Sequence, residues 1–196
     1  MSDMWHDRSS RRALFVVLAI AISIIMALLA FWAGHTVHRL QQNARRFQAD
    51  GRFAQLALAL RNYHLDQGAF PPLTLSKGKD PPYSWRVALL PYFEMADIYR
   101  RYDFSQPWDS AANRALAESM PDGEPGFFRS PDASTANPYC THYLGISEHD
   151  LRWPGKKPLV SYLVTSGSST FILVEAPESD IHWMEPRDTL ETLAKE

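Results

Sequence analysis

His64 and Asp66, together with His142 and Asp132 far downstream, have the side-chain types that would suit a metal ion. Their spacing argues against it. His64 and Asp66 are two residues apart, which on a helix places them on different faces, and neither a His pair four apart nor a cysteine cluster accompanies them. The favoured expectation for His64 is a ring that hydrogen-bonds a neighbouring loop at a helix end. Gly167, Ser168 and Ser169, taken with His142 and Asp132, are suggestive of a hydrolase. A nucleophile elbow, however, needs Gly-x-Ser-x-Gly, and Phe171 holds the last place. Cys140, beside Tyr139, reads as a small buried side chain rather than a reactive thiol. The expectation is a protein with no catalytic activity, no metal and no cofactor.

Aromatic residues offer the one other chemistry. Tyr83, Trp85, Tyr92, Phe93 and Trp108 fall close together in the chain, and rings around a groove stack well on sugars or peptides. Tyr83, Trp85, Tyr92 and Trp108 are accordingly the candidate ligand-binding residues. The competing expectation carries more weight: Trp85 and Trp108 are large apolar bodies that a proline-rich domain needs to fill its interior. Arg86 is expected to pair with Asp103 or Asp109 within the same domain, which would be architecture rather than chemistry.

The elements that must hold these residues follow from one contrast. All 14 prolines lie at or beyond Pro71, and everything before Gly68 is helix-compatible. Leu14 to Ala33 carries no charge and only one polar side chain, Ser23, and about 20 such residues cross a hydrocarbon core as helix. Arg8, Arg11 and Arg12 precede it and Arg39, Arg45, Arg46 and Arg52 follow it, so basic residues alone leave the orientation open. Trp32, His35 and His38 sit where amphipathic rings favour the membrane interface. Ser10, Arg11, Arg12 resembles a twin-arginine signal. An uncleaved signal anchor is preferred to a cleaved signal peptide, because the apolar run exceeds the roughly 7–15 residues of a signal core and Phe31 spoils a cleavage site at Ala33. A buried helix of a soluble protein is the third alternative.

From Leu40 to Leu65, Phe47, Ala54, Leu58 and Leu65 form a helical stripe, and Phe53, Leu56, Ala57 and Leu60 widen it, so that between Phe53 and Leu60 the helix is apolar on more than one side and is expected to be covered by the rest of the chain. Asp50 and Gly51 are the place where that helix would bend. Gly68 stops it and Phe70, Pro71, Pro72 make the exit extended. Ser84 is positioned to cap a helix through Leu90, Pro91 to open a second one carrying Phe93, Ile98 and Tyr99, and Asp109 or Ser110 to cap Ala111 to Met120. Phe127 and Phe128, Thr141 to Ile146, Leu159 to Thr165 and Thr170 to Glu175 are the candidate strands, the last two turned by Ser166 to Ser169. A net charge of −2, without a basic run, speaks against nucleic acid as a partner. The lone Cys140 leaves the redox compartment undetermined.

Gln55 to His64 followed by Gly68, Phe70, Pro71, Pro72 resembles the signature of the domain-of-unknown-function 1559 family, pseudopilin-like proteins expanded in planctomycete bacteria. The likeness continues through Tyr83 to Val87 with Leu90 to Glu94, Tyr102 to Phe104 with Gln106 to Ser110 and Asn113, Phe128 to Pro131, Thr141 to Gly145, and Thr170 to Trp183. It implies an α+β fold: a long N-terminal transmembrane and stalk helix with a small antiparallel sheet and short helices, type IV pilin-like. The expected organisation is a cytoplasmic leader over 1–12, a transmembrane helix over 13–34, an amphipathic stalk over 35–68 and an extracytoplasmic head over 69–196. Two family features are missing. The Gly that precedes a Phe-Thr-Leu-x-Glu start, where a prepilin peptidase acts, has no counterpart in Ser10 to Phe15, and no acidic residue lies in the span. The sheet segment with His, about nine residues and Asp-Gly is also absent, which makes a shortened head the expectation. The function implied is that of a single-pass, inner-membrane structural or interaction protein of the envelope, with lipid around 13–34 and other envelope proteins or a second copy as partners. The alternative is an extracytoplasmic module that binds glycan or peptide through the aromatic cluster.

Overall fold

A computed structural model describes residues 3–120, 126–133, 135–146 and 161–188, with side chains from Phe15 onward except Ser161. The chain divides into two compact units, Met1–Arg46 and Phe47–Glu196. Helix α1, Asp3–Gln67, contributes to both and runs through Gly51 as helix.

In the first unit the helix is apolar all round from Phe15 to Ala33. Phe15, Leu18, Ile22, Ile25, Leu29 and Trp32 are all exposed, and none of the apolar window is buried within the protein. Such a helix needs an apolar solvent. Its polar side chains are satisfied internally: Ser23 Oγ donates to the Ala19 carbonyl at 2.8 Å and Thr36 Oγ1 to that of Trp32 at 2.9 Å. These bonds satisfy the hydroxyls without water. The helix is long and apolar enough to cross a membrane.

In the second unit the remainder of α1 buries Ala49, Phe53, Leu56, Ala59 and Leu60, the spacing of one helical face. Phe53 stacks on Tyr162 at 3.8 Å and meets Tyr143 edge-on at 4.8 Å. The expected covering between Phe53 and Leu60 holds for one side only: Ala54 and Leu58 are exposed, as are Phe47 and Leu65 of the same stripe, on the side away from Phe53 and Leu60. A helix of this kind has two apolar faces, and the domain covers only the one that carries its larger contiguous patch. Gly68 ends α1 at φ +78, its N–H returning to the His64 carbonyl at 2.8 Å.

Beyond Gly68, β1 (Thr74–Leu75) pairs antiparallel with β2 (Tyr83–Ser84), a two-strand ladder too short to leave a sequence signal. Ser84 then caps α2, Trp85–Leu89, by accepting from the Arg86 N–H at 3.2 Å. Pro91 sits at the start of a 3-10 turn over Leu90–Phe93, which Glu94 closes in the left-handed region at φ +62. The single helix expected from Pro91 through Tyr99 is therefore two pieces, the second being α3, Ala96–Arg101. Ser110 caps α4, Ala111–Glu118, as its position predicted. Phe127 and Phe128 form no strand; they lie in a 3-10 turn, Gly126–Phe128, where Phe127 stacks on Phe93 at 4.1 Å. An apolar pair this short takes the conformation its packing partner dictates.

The main sheet comprises β3 (Tyr143–Ile146), β4 (Ser161–Ser166) and β5 (Ser169–Glu175), antiparallel in the order β3-β5-β4. Gly167, at φ +59, turns β4 into β5 with Ser166 opposite Ser169. Leu159 and Val160, expected at the start of β4, lie outside the described residues. All four residues of β3 are buried, because Leu144 packs with Ala176 and Ile181 on one side while Tyr143 joins the main core on the other. Gly145 is required by closeness: a Cβ there would stand 2.4 Å from Leu73 Cδ2 and 2.9 Å from Phe171 Cζ. The main core is built on Trp85, Phe128, Phe171 and Trp183, with Trp85 at 5.2 Å from Phe171 and 6.2 Å from Phe128. The architecture is α+β, with a long N-terminal apolar helix, a small antiparallel sheet and short helices, consistent with a pilin-like fold.

Candidate functional site

The four aromatic candidates occupy different surroundings. Trp85 is fully buried, and its Nε1 donates to Asp188 Oδ2 at 2.8 Å. Tyr83 is buried, edge-on to Phe104 at 4.9 Å. Tyr92 is half-buried against Tyr63, and Trp108 is half-buried against His182, 5.0 Å between ring centres. Trp108 lines a cleft.

That cleft is set up by a side chain the sequence had placed only among its motifs. Asn113, buried on α4, accepts from the Asp103 N–H at 2.9 Å and donates to the carbonyls of Asp103 and Pro107 at 3.1 and 3.0 Å. These bonds fix the turn that presents Trp108. From the other side, Cys140 and His182 form an isolated antiparallel bridge, and the Trp183 N–H donates to the Tyr139 carbonyl at 2.9 Å. His182 is thereby held beside both rings, nearly parallel to Tyr139 at 5.8 Å. Asp109, Arg114, Glu118 and Asn137 complete the wall of a cleft of about 220 Å³. Its floor is aromatic and its rim carries both charges. His182 titrates at about 4, held down by burial and then by the Arg114 charge. Its Nδ1 accepts from the Met184 N–H at 3.1 Å, so protonation there would break a bond. The cleft presents a neutral imidazole at pH 7. Tyr139, Arg114, Glu118 and His182 escaped the sequence reading because no spacing links residues that only the fold brings together.

Arg86, Asp188 and Asp103 are engaged in structure. Arg86 pairs with Asp188, not with Asp103 or Asp109 as expected; the side chains of both are almost wholly buried. Arg86 also donates to the Tyr143 carbonyl at 2.9 Å and to Ser84 Oγ at 3.0 Å, and Asp188 accepts from the Gly145 N–H at 3.2 Å. Burial lowers the Arg86 pKa and raises that of Asp188, and the opposite charge of each counters the other's shift. Asp103 instead accepts from the Ser105 hydroxyl at 2.6 Å. A pairing partner about a hundred residues away in sequence leaves no local trace.

The hydrolase-like set does not assemble. Ser169 opens β5, whereas the Ala176 N–H, just past its far end, donates to the His142 carbonyl at 2.8 Å. His142 Nδ1 accepts from the Ser130 N–H at 3.3 Å, and Ser130 Oγ donates to Glu175 and accepts from the Asp132 N–H. Burial, then the Arg129 and Arg52 charges, lowers His142 to about 4, and burial raises Glu175. His64 does not bond a loop through its ring as expected: Nδ1 has no partner and the ring rests on Phe70 at 4.8 Å. Cys140 is buried. Among the described residues no three His, Cys, Asp or Glu side chains converge as a metal would need.

An α+β domain that shares its first helix with an apolar segment long enough to cross a membrane defines the class of the protein. The chain belongs to the family described as "Protein of unknown function (DUF1559)", whose profile matches residues 39–171. No curated protein and no solved structure matches the chain.

Proposed function

We propose that this protein is a membrane-anchored, pseudopilin-like structural or interaction module of the cell envelope, without catalytic activity. The N-terminus lies in the cytoplasm, one helix crosses the inner membrane, and the domain from Phe47 onward works outside it. The observation that carries this reading is an apolar helix with none of its span buried. Lipid is the solvent such a surface requires. The engagement of Ser130, His142, Glu175 and Arg86 in structural bonds supports a non-catalytic role. The planctomycete origin is the family's implication. Alkaline carbonate extraction of membranes, combined with a reporter fused after Glu196, tests it. Retention in the pellet with an active periplasm-only reporter is expected; release into the supernatant overturns the anchor, and an active cytoplasm-only reporter reverses the orientation.

The cleft beside Trp108 favours a second reading, a module that captures glycan or peptide on the aromatic floor of Trp108, Tyr139 and His182. Trp108→Ala leaves the fully buried Trp85 core untouched. Loss of capture on a glycan or peptide array with unchanged thermal unfolding supports this reading, and an array that shows no capture by the native chain retires it.

A further inference from the structure

The face of α1 that the domain leaves uncovered has a regularity of its own. Phe47, Ala54, Leu58 and Leu65 are exposed, and with Gly51 and Arg61 they occupy the alternating three- and four-residue steps of a heptad seam. Phe47, Leu58 and Leu65 are 79%, 61% and 76% exposed, unusual for large apolar side chains of a folded domain. N-terminal to them the sequence keeps the same steps through Ala44, Leu40 and Val37, each exposed. The residues this helix does bury, Phe53, Leu56 and Leu60, fall at heptad positions remote from the seam. Packing against the domain and packing along the seam therefore do not compete.

The flanks of the seam say what could cover it. On one side lie Gln48, Gln55 and Asn62, all uncharged amides; on the other lie Asp50, Ala57 and His64. Asp50 accepts a hydrogen bond from the Tyr162 hydroxyl, so its charge is already occupied. Arg45, Arg46 and Arg52 stand outside the flanking positions. A second copy in parallel, in register, would set Asp50 and Ala57 of one helix against Gln55 and Asn62 of the other, with no like charges facing along the edge, and Arg61 alone would meet its own copy within the seam. A basic or acidic partner helix would find no complementary charge there. Anchoring in one membrane makes two copies parallel and raises their effective concentration, which matters because Ala54 and Gly51 make each copy's seam thin.

We infer that the exposed face of α1 from Phe47 to Leu65 is a homotypic interface, on which two copies of this chain pair as a parallel, in-register coiled coil. The inference deepens the proposed function by naming a second copy as partner, and its parallel sense rests on the membrane-anchor reading. An in-register pair is closed and two-fold symmetric; a staggered array of the same helices would not be.

Single-cysteine cross-linking of the full chain in native membranes tests it, the native chain with its buried Cys140 serving as background. Phe47→Cys, Ala54→Cys, Leu58→Cys and Leu65→Cys are expected to give homodimers on mild oxidation, whereas Arg46→Cys and Gln67→Cys, exposed on the other face, are not. Sedimentation of the detergent-solubilised chain provides a second readout. Leu58→Lys is expected to weaken the dimer about tenfold or more, and Arg61→Leu, which removes like charges that face each other in the seam, to strengthen it by about as much. Cross-linking at every position alike, at none, preferentially between different positions, or only to a protein of another mass overturns the seam and leaves the anchor standing. Seam-specific dimers in a chain that carbonate releases from membranes overturn the anchor and leave the seam standing.

Discussion

Gly145, the buried His142 and the half-buried His182 show how little room the domain leaves for substitution. A methyl group at Gly145 would overlap Leu73 and Phe171, both fixed by core neighbours. Gly145→Ala is expected to lower stability by about 1–3 kcal/mol, read as a lower urea midpoint with an unchanged slope. His142 and His182 titrate at about 4 against the ordinary 6.5. The unfolded chain thus takes up protons that the folded chain refuses, so the stability they contribute is complete above pH 6.5 and drains away as pH falls toward 4. Glu175, raised by burial, works in the opposite sense and offsets part of the loss. Comparing urea midpoints at pH 7 and pH 4.5 should show a drop, and His142→Asn, whose amide oxygen can still accept from the Ser130 N–H, should reduce that drop by on the order of 2 kcal/mol. An equal drop in the variant would assign it to other groups.

The elements divide by how local their causes are. Ser84 and Ser110 announced their helices because a cap is a contact over two or three residues, and Gly68 announced its stop because a left-handed turn favours glycine. The helix expected to run on from Pro91 broke at Glu94, where the domain imposes a left-handed residue without a glycine to signal it. Most distant of all is the tie between α2 and the residues after β5, through Arg86 and Asp188. Removing one partner of a buried pair strands the other, so Asp188→Ala is expected to cost about 3–5 kcal/mol in chemical unfolding. The double replacement Arg86→Met with Asp188→Leu should cost markedly less. If the two variants unfold alike, Arg86 tolerates its interior without a countercharge.

At the scale of the molecule, each unit asks for a different solvent. The first exposes the apolar surface of Phe15 to Ala33, and the second folds around Trp85, Phe128 and Trp183. Dynamic light scattering during detergent removal should therefore show large aggregates from the full chain; a monodisperse species in plain buffer would mean that its own residues cover the apolar helix.

The order of residues alone established the apolar span, the helix that follows it, its stop at Gly68, the serine caps and the hairpin at Gly167, because each depends on neighbours along the chain or on bulk transfer to lipid. Tertiary structure alone decided which of the two apolar faces of α1 is covered, that Asp188 is the partner of Arg86, and that Trp108 meets Tyr139 and His182 across a cleft while Trp85 goes to the core. Each of those outcomes compares burial sites offered by residues remote in sequence, and that comparison does not exist until the chain has closed upon itself.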